Sequence, residues 1–323
     1  MSGRRAGTFP MAVSSRARFD SATQRMIQAN AANWDARTPV HEGSAFYGID
    51  GTRDADYWFA DYEWQDLGPL AGLDVLHAQC HLGTETIAFA RRGARAVGLD
   101  ISPQSIRAAR RIAADAGVDI EYVCADVHDA LEVLGSERFD VIYTGKGAVC
   151  YLPDVERWAA ILHDLVKPGG RVYLVEFHPL LSALGPAPRP DAGEELLLLH
   201  DYLEGRGALE RDSTYTYTDG PALQDATVSY EWAHGLGEVV NAFVGAGLRI
   251  DRLRESEAIP WPRWPHMDRT ERGWWRLPDH APRIPLLYAL LATRSREVSS
   301  AGTNKPALPG RRGPLSGLGR DDG

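Results

Sequence analysis

Three short stretches of this chain put chemistry where a nucleoside could be held. The segment Gln79-Cys80-His81-Leu82-Gly83 ends on a glycine, and a glycine at a strand-to-helix turn lets backbone come close to a ligand. Asp100 ends the next apolar stretch, ARAVGLD. A carboxylate so placed accepts hydrogen bonds from both hydroxyls of a ribose. Asp126 ends a third stretch, IEYVCAD, where a side chain reaches an adenine amino group. A strand-final Asp also serves as a helix cap, so the signal lies in the ordered set, completed by Pro168-Gly169-Gly170 ahead of a further strand.

Alternating strands and helices must position these residues. DVLHAQC (74–80) reads as a strand, and TETIAFARR (84–92) as a helix whose Ile87, Ala88 and Ala90 recur at helical spacing. Strands follow at 94–100, 120–126, 139–145 and 171–177. Ser102 caps a helix opening at Pro103 and closing at Gly117, and another runs from Asp154 to Val166. Strands separated by helices of this length imply a parallel sheet covered on both faces. Beyond Phe177 the rhythm breaks: EELLLLHDYLEG (194–205), STYTYTDG (213–220) and ATVSYEW (226–232) are expected to pair as an antiparallel cap. A helix to Gly247 and strands at 248–256 and 286–294 predict a final hairpin added to the sheet. The expected organisation is a tail at 1–25, one domain at 26–295 with a helical lid at 26–70 and a cap insertion at 178–232, and a Gly/Pro/Ser-rich tail at 296–323.

These motifs resemble a class I S-adenosylmethionine-dependent methyltransferase. VLHAQCHLGTETIAFARRGARAVGLDISPQSI matches the family's first two motifs; ADVHD, FDVIYTG and LVKPGGRVYLVEF match the later ones. The chain resembles more narrowly bacterial members with QCHxG in place of GCGxG, which share NxxNWDxR (Asn30–Arg37) and YEWxHxLGE (Tyr230–Glu238). His77 replaces the family's first-strand acid, and Gln79 and His81 replace two glycines. The resemblance implies a doubly wound, Rossmann-like α/β sheet of seven strands in the order 3-2-1-4-5-7-6, strand 7 antiparallel, with the small antiparallel cap after strand 5. It implies S-adenosyl-L-methionine as cofactor, held by Trp34, Gln79, His81, Gly83, Asp100, Ile101, Asp126, Val127 and Thr144. The implied reaction is methylation of an O or N atom of a small organic metabolite, with secondary metabolism as one setting. Methyl transfer needs a base only when the acceptor arrives protonated. His178, after the fifth strand, and His234 are the catalytic candidates, with Glu176 beside them. Trp34, Tyr47, Tyr57, Trp58, Tyr62 and Trp64, with Trp261, Trp264, Trp274 and Trp275, suggest a lid over an apolar small molecule.

Other functions fit the residues less well. A nicotinamide oxidoreductase would show G-x-G-x-x-G after the first strand, of which only Gly83 survives, and no Tyr-x-x-x-Lys pair exists. His77, Cys80 and His81 suggest zinc, but no second cluster supplies the remaining ligands. A non-catalytic methyltransferase-like binding module is the third alternative. Lys+Arg 35 against Asp+Glu 44 gives a net charge of −9, which disfavours nucleic acid as a partner. No stretch approaches the ~18 apolar residues of a membrane span, and the first twenty residues lack a secretory apolar region. With Cys80, Cys124 and Cys150 expected as buried free thiols, the expected location is the cytoplasm.

Overall fold

The computed structural model describes residues 19–184 and 196–296. In chain order the elements are α1 (Ser21–Glu42), α2 (Asp61–Leu67), β1 (Asp74–Ala78), α3 (Thr84–Arg91), β2 (Arg95–Asp100), α4 (Pro103–Asp115), β3 (Glu121–Cys124), α5 (Ala130–Leu134), β4 (Phe139–Thr144), α6 (Val155–Leu165), β5 (Val166–Phe177) and α7 (Pro179–Ala183). They continue with β6 (Ala208–Asp212), β7 (Val228–Trp232), α8 (Leu236–Gly245), β8 (Leu248–Ser256), β9 (Ala258–Ile259), β10 (Asp268–Arg269), β11 (Trp275–Arg276) and β12 (Leu287–Arg294).

The main sheet has seven strands in the order β3-β2-β1-β4-β5-β12-β8. The first five are mutually parallel, and β12 runs antiparallel to both neighbours. This is the expected doubly wound, Rossmann-like methyltransferase arrangement. Helices cover both faces, so the strands are near-continuous apolar runs instead of alternating ones. On one face Leu76, Leu99, Ile142 and Leu174 meet Trp158, Ile161, Leu162 and Phe243 of α6 and α8. On the other, Val75, Val141, Tyr143 and Val175 meet Trp58, Phe59, Leu67 and Phe89. Crossovers that lay helices on both faces bring every parallel strand's carboxyl end to one edge, and the site is built there.

Several expectations change. Asp20 caps α1 through the amide of Thr23, so helix already occupies residues 21–25 of the expected N-terminal tail. Residues 196–205 form no strand: Leu197, Leu198, Leu199 and Leu203 are exposed, and a run of leucines carries no alternation to fix a register. Residues 213–220 form no strand either. The antiparallel pair is β6 with β7, and the segment between them crosses the site as a strap. Of the three cysteines expected to be buried, Cys80 is, Cys150 is half-buried and Cys124 is exposed at the end of β3. The start of the expected C-terminal tail is described only to Arg296; residues 297–323 lie outside the described residues.

Gly98 sits in β2 under the ring of Tyr122, on β3. A Cβ there would lie 2.6 Å from that ring and 2.9 Å from Cys80 Sγ. Gly98→Ala should therefore cost ~1–3 kcal/mol by overpacking, a drop of several degrees in thermal midpoint. An unchanged midpoint would show that the two strands do not pack this tightly.

Candidate active site

The site begins with a helix whose buried face is polar. Asn30, Asn33, Arg37, Thr38 and His41 are all buried on α1, recurring at three- and four-residue spacing. Such groups cost ~1–3 kcal/mol each if left unsatisfied, and nearly all find partners. Asn30 pairs with β7 as a strand would, donating from Nδ2 to Tyr230 O at 2.9 Å and accepting from Tyr230 N at 2.7 Å. Asn33 donates to Ala226 O. Thr38 Oγ1 donates to Trp34 O and lies 2.8 Å from Ser105 Oγ of α4.

His41 carries the chain of contacts to the β1 turn. Its Nδ1 lies 2.8 Å from His81 Nε2, and its Nε2 lies 2.6 Å from Thr216 Oγ1 on the strap. His81 Nδ1 in turn lies 2.9 Å from Ser105 Oγ. Burial holds His41 down to about 2 and His81 to about 3, helped by the cation of Arg37. Both rings are thus neutral at ordinary pH, and each can donate from one nitrogen and accept at the other. Trp34 packs edge-on against His81, with ring centroids 4.9 Å apart, and meets Tyr151 at 5.4 Å.

Asp100 ends β2 and organises the same turn. Its Oδ2 accepts from the His81 amide at 2.8 Å and its Oδ1 from the Ser102 amide at 2.9 Å. Burial pushes its carboxyl up to about 6 against those two amides, with the charge of Asp35 adding to the shift. Asp35 accepts from Ser102 Oγ and from the Gln104 amide at the start of α4. Gly83 takes a left-handed conformation at φ 69° before α3, which a side chain would strain. Gln79 and His81 hold left-handed φ values of 59° and 48° despite carrying side chains; the bonds made by His81 at both ring nitrogens and its amide hold it there.

The other expected cofactor residues fall as follows. Gln79 Nε2 donates to Ala148 O, while Oε1 is buried with no partner among the described residues. Thr144 ends β4 fully buried, and its Oγ1 also lacks one. Ile101 follows Asp100 half-buried, its carbonyl facing Cys124 Sγ. Asp126 caps a short turn by accepting from the His128 amide and lies 2.8 Å from the His128 ring. Burial pushes its carboxyl up, but the His128 contacts outweigh this and hold it below the usual range. The Val127 side chain belongs to the sheet's core. Trp34, His81, Gly83 and Asp100 are therefore one assembly, and Asp126 stands at its β3 side.

The two catalytic candidates do not join it. His178 caps α7, its Nδ1 accepting from Leu180 N at 3.1 Å, and its Nε2 lies 3.0 Å from Glu255 Oε1 at the end of β8. Its ring also neighbours Tyr288 of β12, so it faces the half of the sheet away from β1 and β2. His234 is pinned at both nitrogens, Nδ1 to Glu238 Oε2 at 2.8 Å and Nε2 to Leu152 O at 2.7 Å. The His234 ring is committed at both nitrogens, whereas His178 Nε2, though close to Glu255, has no hydrogen-bond partner among the described residues. Glu176 is likewise committed: it accepts from the amides of Gly147, Ala148, Val149 and Phe177 and so shapes the loop after β4. His77 lies 2.8 Å from Thr86 Oγ1.

Sequence reasoning missed His41, Asp35, Ser102 and Ser105 as parts of the site. The signal for His41 and Asp35 was the helical spacing of polar residues across Asn30–His41, which an apolar pattern does not register; Ser102 and Ser105 gave only the signal of a helix start. It also missed the strap: Asp219 accepts from the amides of Ala45 and Phe46 at 3.0 and 3.1 Å, and Tyr217 OH lies 2.5 Å from Tyr47 OH. Phe46 packs in turn against Trp58, Tyr217 and Trp261, and Trp261 against Phe177 at the end of β5. These rings wall the space beside the β4 and β5 ends.

Two tests follow from these contacts. His178→Ala should cost ~1 kcal/mol through the lost cap, and His178→Asn should restore most of it, Asn being a favoured cap; equal midpoints for all three proteins would remove the capping role. Because His41 and His81 titrate far lower folded than unfolded, the unfolded chain binds more protons between about pH 3 and 6.5. Their contribution is complete above pH 6.5 and is lost as pH falls, by roughly 2 kcal/mol per ring at pH 5. Urea midpoints at pH 7.5 and 5.0 should differ less for His41→Gln than for the parent protein.

Residues 75–170 match the family model described as a methyltransferase domain. A ubiquinone biosynthesis O-methyltransferase from Brucella anthropi is 34% identical over 119 residues, 37% of this chain and 47% of that protein. Its counterpart in a Chelativorans species is 34% identical over 37% of this chain and 46% of its own. The chain thus matches a little under half the length of these relatives. Among solved structures, a Listeria monocytogenes protein described as an S-adenosylmethionine dependent methyltransferase superposes with a TM-score of 0.54, at 18% identity, over 75% of this chain and 98% of its own. An S-adenosylmethionine-dependent methyltransferase from Clostridium acetobutylicum gives 0.50, at 13% identity, over 76% and 94%. No described helix is long and apolar enough to cross a membrane. Residues 75–170 thus match a methyltransferase domain, and the fold is one shared with proteins described as S-adenosylmethionine-dependent methyltransferases.

Proposed function

We propose that this protein is an S-adenosylmethionine-dependent methyltransferase acting on an oxygen of a small organic acceptor, with nitrogen as the other acceptor atom. The observation that carries it is Asp100: a buried carboxylate at the end of β2, held by two amides, inside the segment that matches a methyltransferase domain. The residues fit the cofactor. Asp100 keeps lone pairs for ribose hydroxyls, Gly83 turns the chain into α3 beside it in a left-handed conformation, and Asp126 at the β3 side is the candidate partner for an adenine amino group. The buried, unpartnered Gln79 Oε1 and Thr144 Oγ1 supply acceptors that a bound ligand would satisfy.

The cofactor supplies an electrophilic methyl group on a sulfonium with a good leaving group. The protein's part is then to hold and desolvate, which is worth up to ~7–11 kcal/mol in favourable cases. Trp34 covers the His81 side, and the rings of Phe46, Trp58, Trp261 and Phe177 exclude water beside β4 and β5. Such walls suit an apolar, planar acceptor. The names of the bacterial relatives support a small-molecule O-methylation. With His178 capping α7 on the β12 side of the sheet and His234 bonded at both nitrogens, alignment carries more of the rate than proton removal.

S-adenosylhomocysteine should bind by calorimetry, and Asp100→Ala should weaken it by about tenfold or more, because charge-assisted hydrogen bonds are worth ~1.5–3 kcal/mol. The ionised carboxylate is the form that accepts both hydroxyls. Since burial puts the Asp100 carboxyl at about 6, affinity should be full near pH 7.5 and fall as pH drops below 6. Affinity indifferent to both changes would sink the assignment.

A further inference from the structure

S-adenosylmethionine bears an amino-acid end with one ammonium and one carboxylate. With Asp100 and Asp126 on the β2 and β3 side, that end falls over the turn after β1 and the end of β4. A desolvated ammonium there needs an anionic partner. Three carboxylates reach this side of the site. Glu176 is committed to four backbone amides. Glu63 is committed to the Ala60 amide, Lys146 and Tyr143 OH. Glu85, in the first turn of α3, accepts from Thr84 Oγ1 at Oε2, and its Oε1 has no hydrogen-bond partner among the described residues.

Glu85 also lies where such a charge is wanted. A Cβ built on Gly145, just past β4, would sit 3.8 Å from Glu85 Oε1 and 3.6 Å from His77 Nε2. The carboxylate therefore reaches from α3 to the carboxyl end of β4, where no side chain at 145 comes between the two elements. Burial holds His77 down to about 4, so the neighbouring ring is neutral and does not serve as the cation for Glu85. The unpartnered Gln79 Oε1 belongs to the same turn. The negative charge of Glu85 is felt by Tyr47, Tyr143 and Tyr217, which ring this space.

On the footing of the cofactor assignment above, we propose that Glu85 binds the α-ammonium of the cofactor's amino-acid end. An acid in the first turn of a helix also stabilises the helix itself, so the test must separate the two roles. S-adenosylhomocysteine carries the ammonium; 5′-methylthioadenosine keeps the nucleoside and lacks the amino-acid end. By calorimetry, Glu85→Gln should weaken S-adenosylhomocysteine about tenfold or more and leave 5′-methylthioadenosine within about twofold. Equal affinity of the variant and the parent for S-adenosylhomocysteine, or equal losses for both ligands, would overturn the proposal. If Glu85→Gln does not fold, the parent protein gives the same answer with deaminated S-adenosylhomocysteine, which should bind about tenfold more weakly than the amine; equal binding would again overturn it. If the parent binds neither nucleoside, the cofactor assignment fails and this proposal fails with it.

Discussion

The polar face of α1 is the constraint around which the site is arranged. A helix that buries amides, a hydroxyl and an imidazole instead of leucines can dock only where each finds its partner, since an orphaned polar group costs more than a misplaced methyl. Asn30 and Asn33 satisfy β7 and the residues before it, Thr38 reaches α4, and His41 reaches His81 and the strap. Four separate parts of the chain are thereby referred to one helix. Apolar packing tolerates small slips; a set of directed bonds does not.

That rigidity passes to the β1 turn through His81. Its ring is held from α1 and α4, and its amide is held by Asp100. The turn keeps a left-handed residue at His81 because both ends of that residue are tied. Asp100 is left ionised above about pH 6 and already held by two amides, so its carboxylate is fixed in place before any further donor reaches it. Lid, loop and sheet form one electrostatic unit, with the aromatic walls a separate, apolar one beside it.

The sheet was legible in the sequence because its signals are redundant. Strands β1 to β5 alternate with helices, two of them opened by recognisable caps, Ser102 and Asp154, and the ordered glycine and acids sit at strand ends. Asp100 stands out by position alone, at the strand end where the structure ties it to the His81 turn. The histidines could not: His178 and His234 follow strand and loop ends where a base would be placed, and only the structure shows His178 capping α7 beside Glu255 and His234 bonded at both ring nitrogens. The strap misled for a related reason. Thr and Tyr favour strands, but Asp219 and Thr216 bind the lid instead of a neighbouring strand. Propensity is local, whereas the bonds that overrode it join residues 170 or more positions apart.

The place of β12 has a consequence for how the chain assembles. β12 lies between β5 and β8, paired along nearly its whole length with both, although it follows them both in sequence. β8 has no other partner in the main sheet, so it cannot be incorporated until residues 287–294 are available. During synthesis β1 to β5 can pair as they emerge, whereas β5 waits with an apolar edge unpaired while more than a hundred further residues are added. Long-range pairing of this kind is slow and leaves strand edges open to association with other chains. The bottleneck in making this protein is then a vacancy in the middle of a half-built sheet, closed last and from one side only.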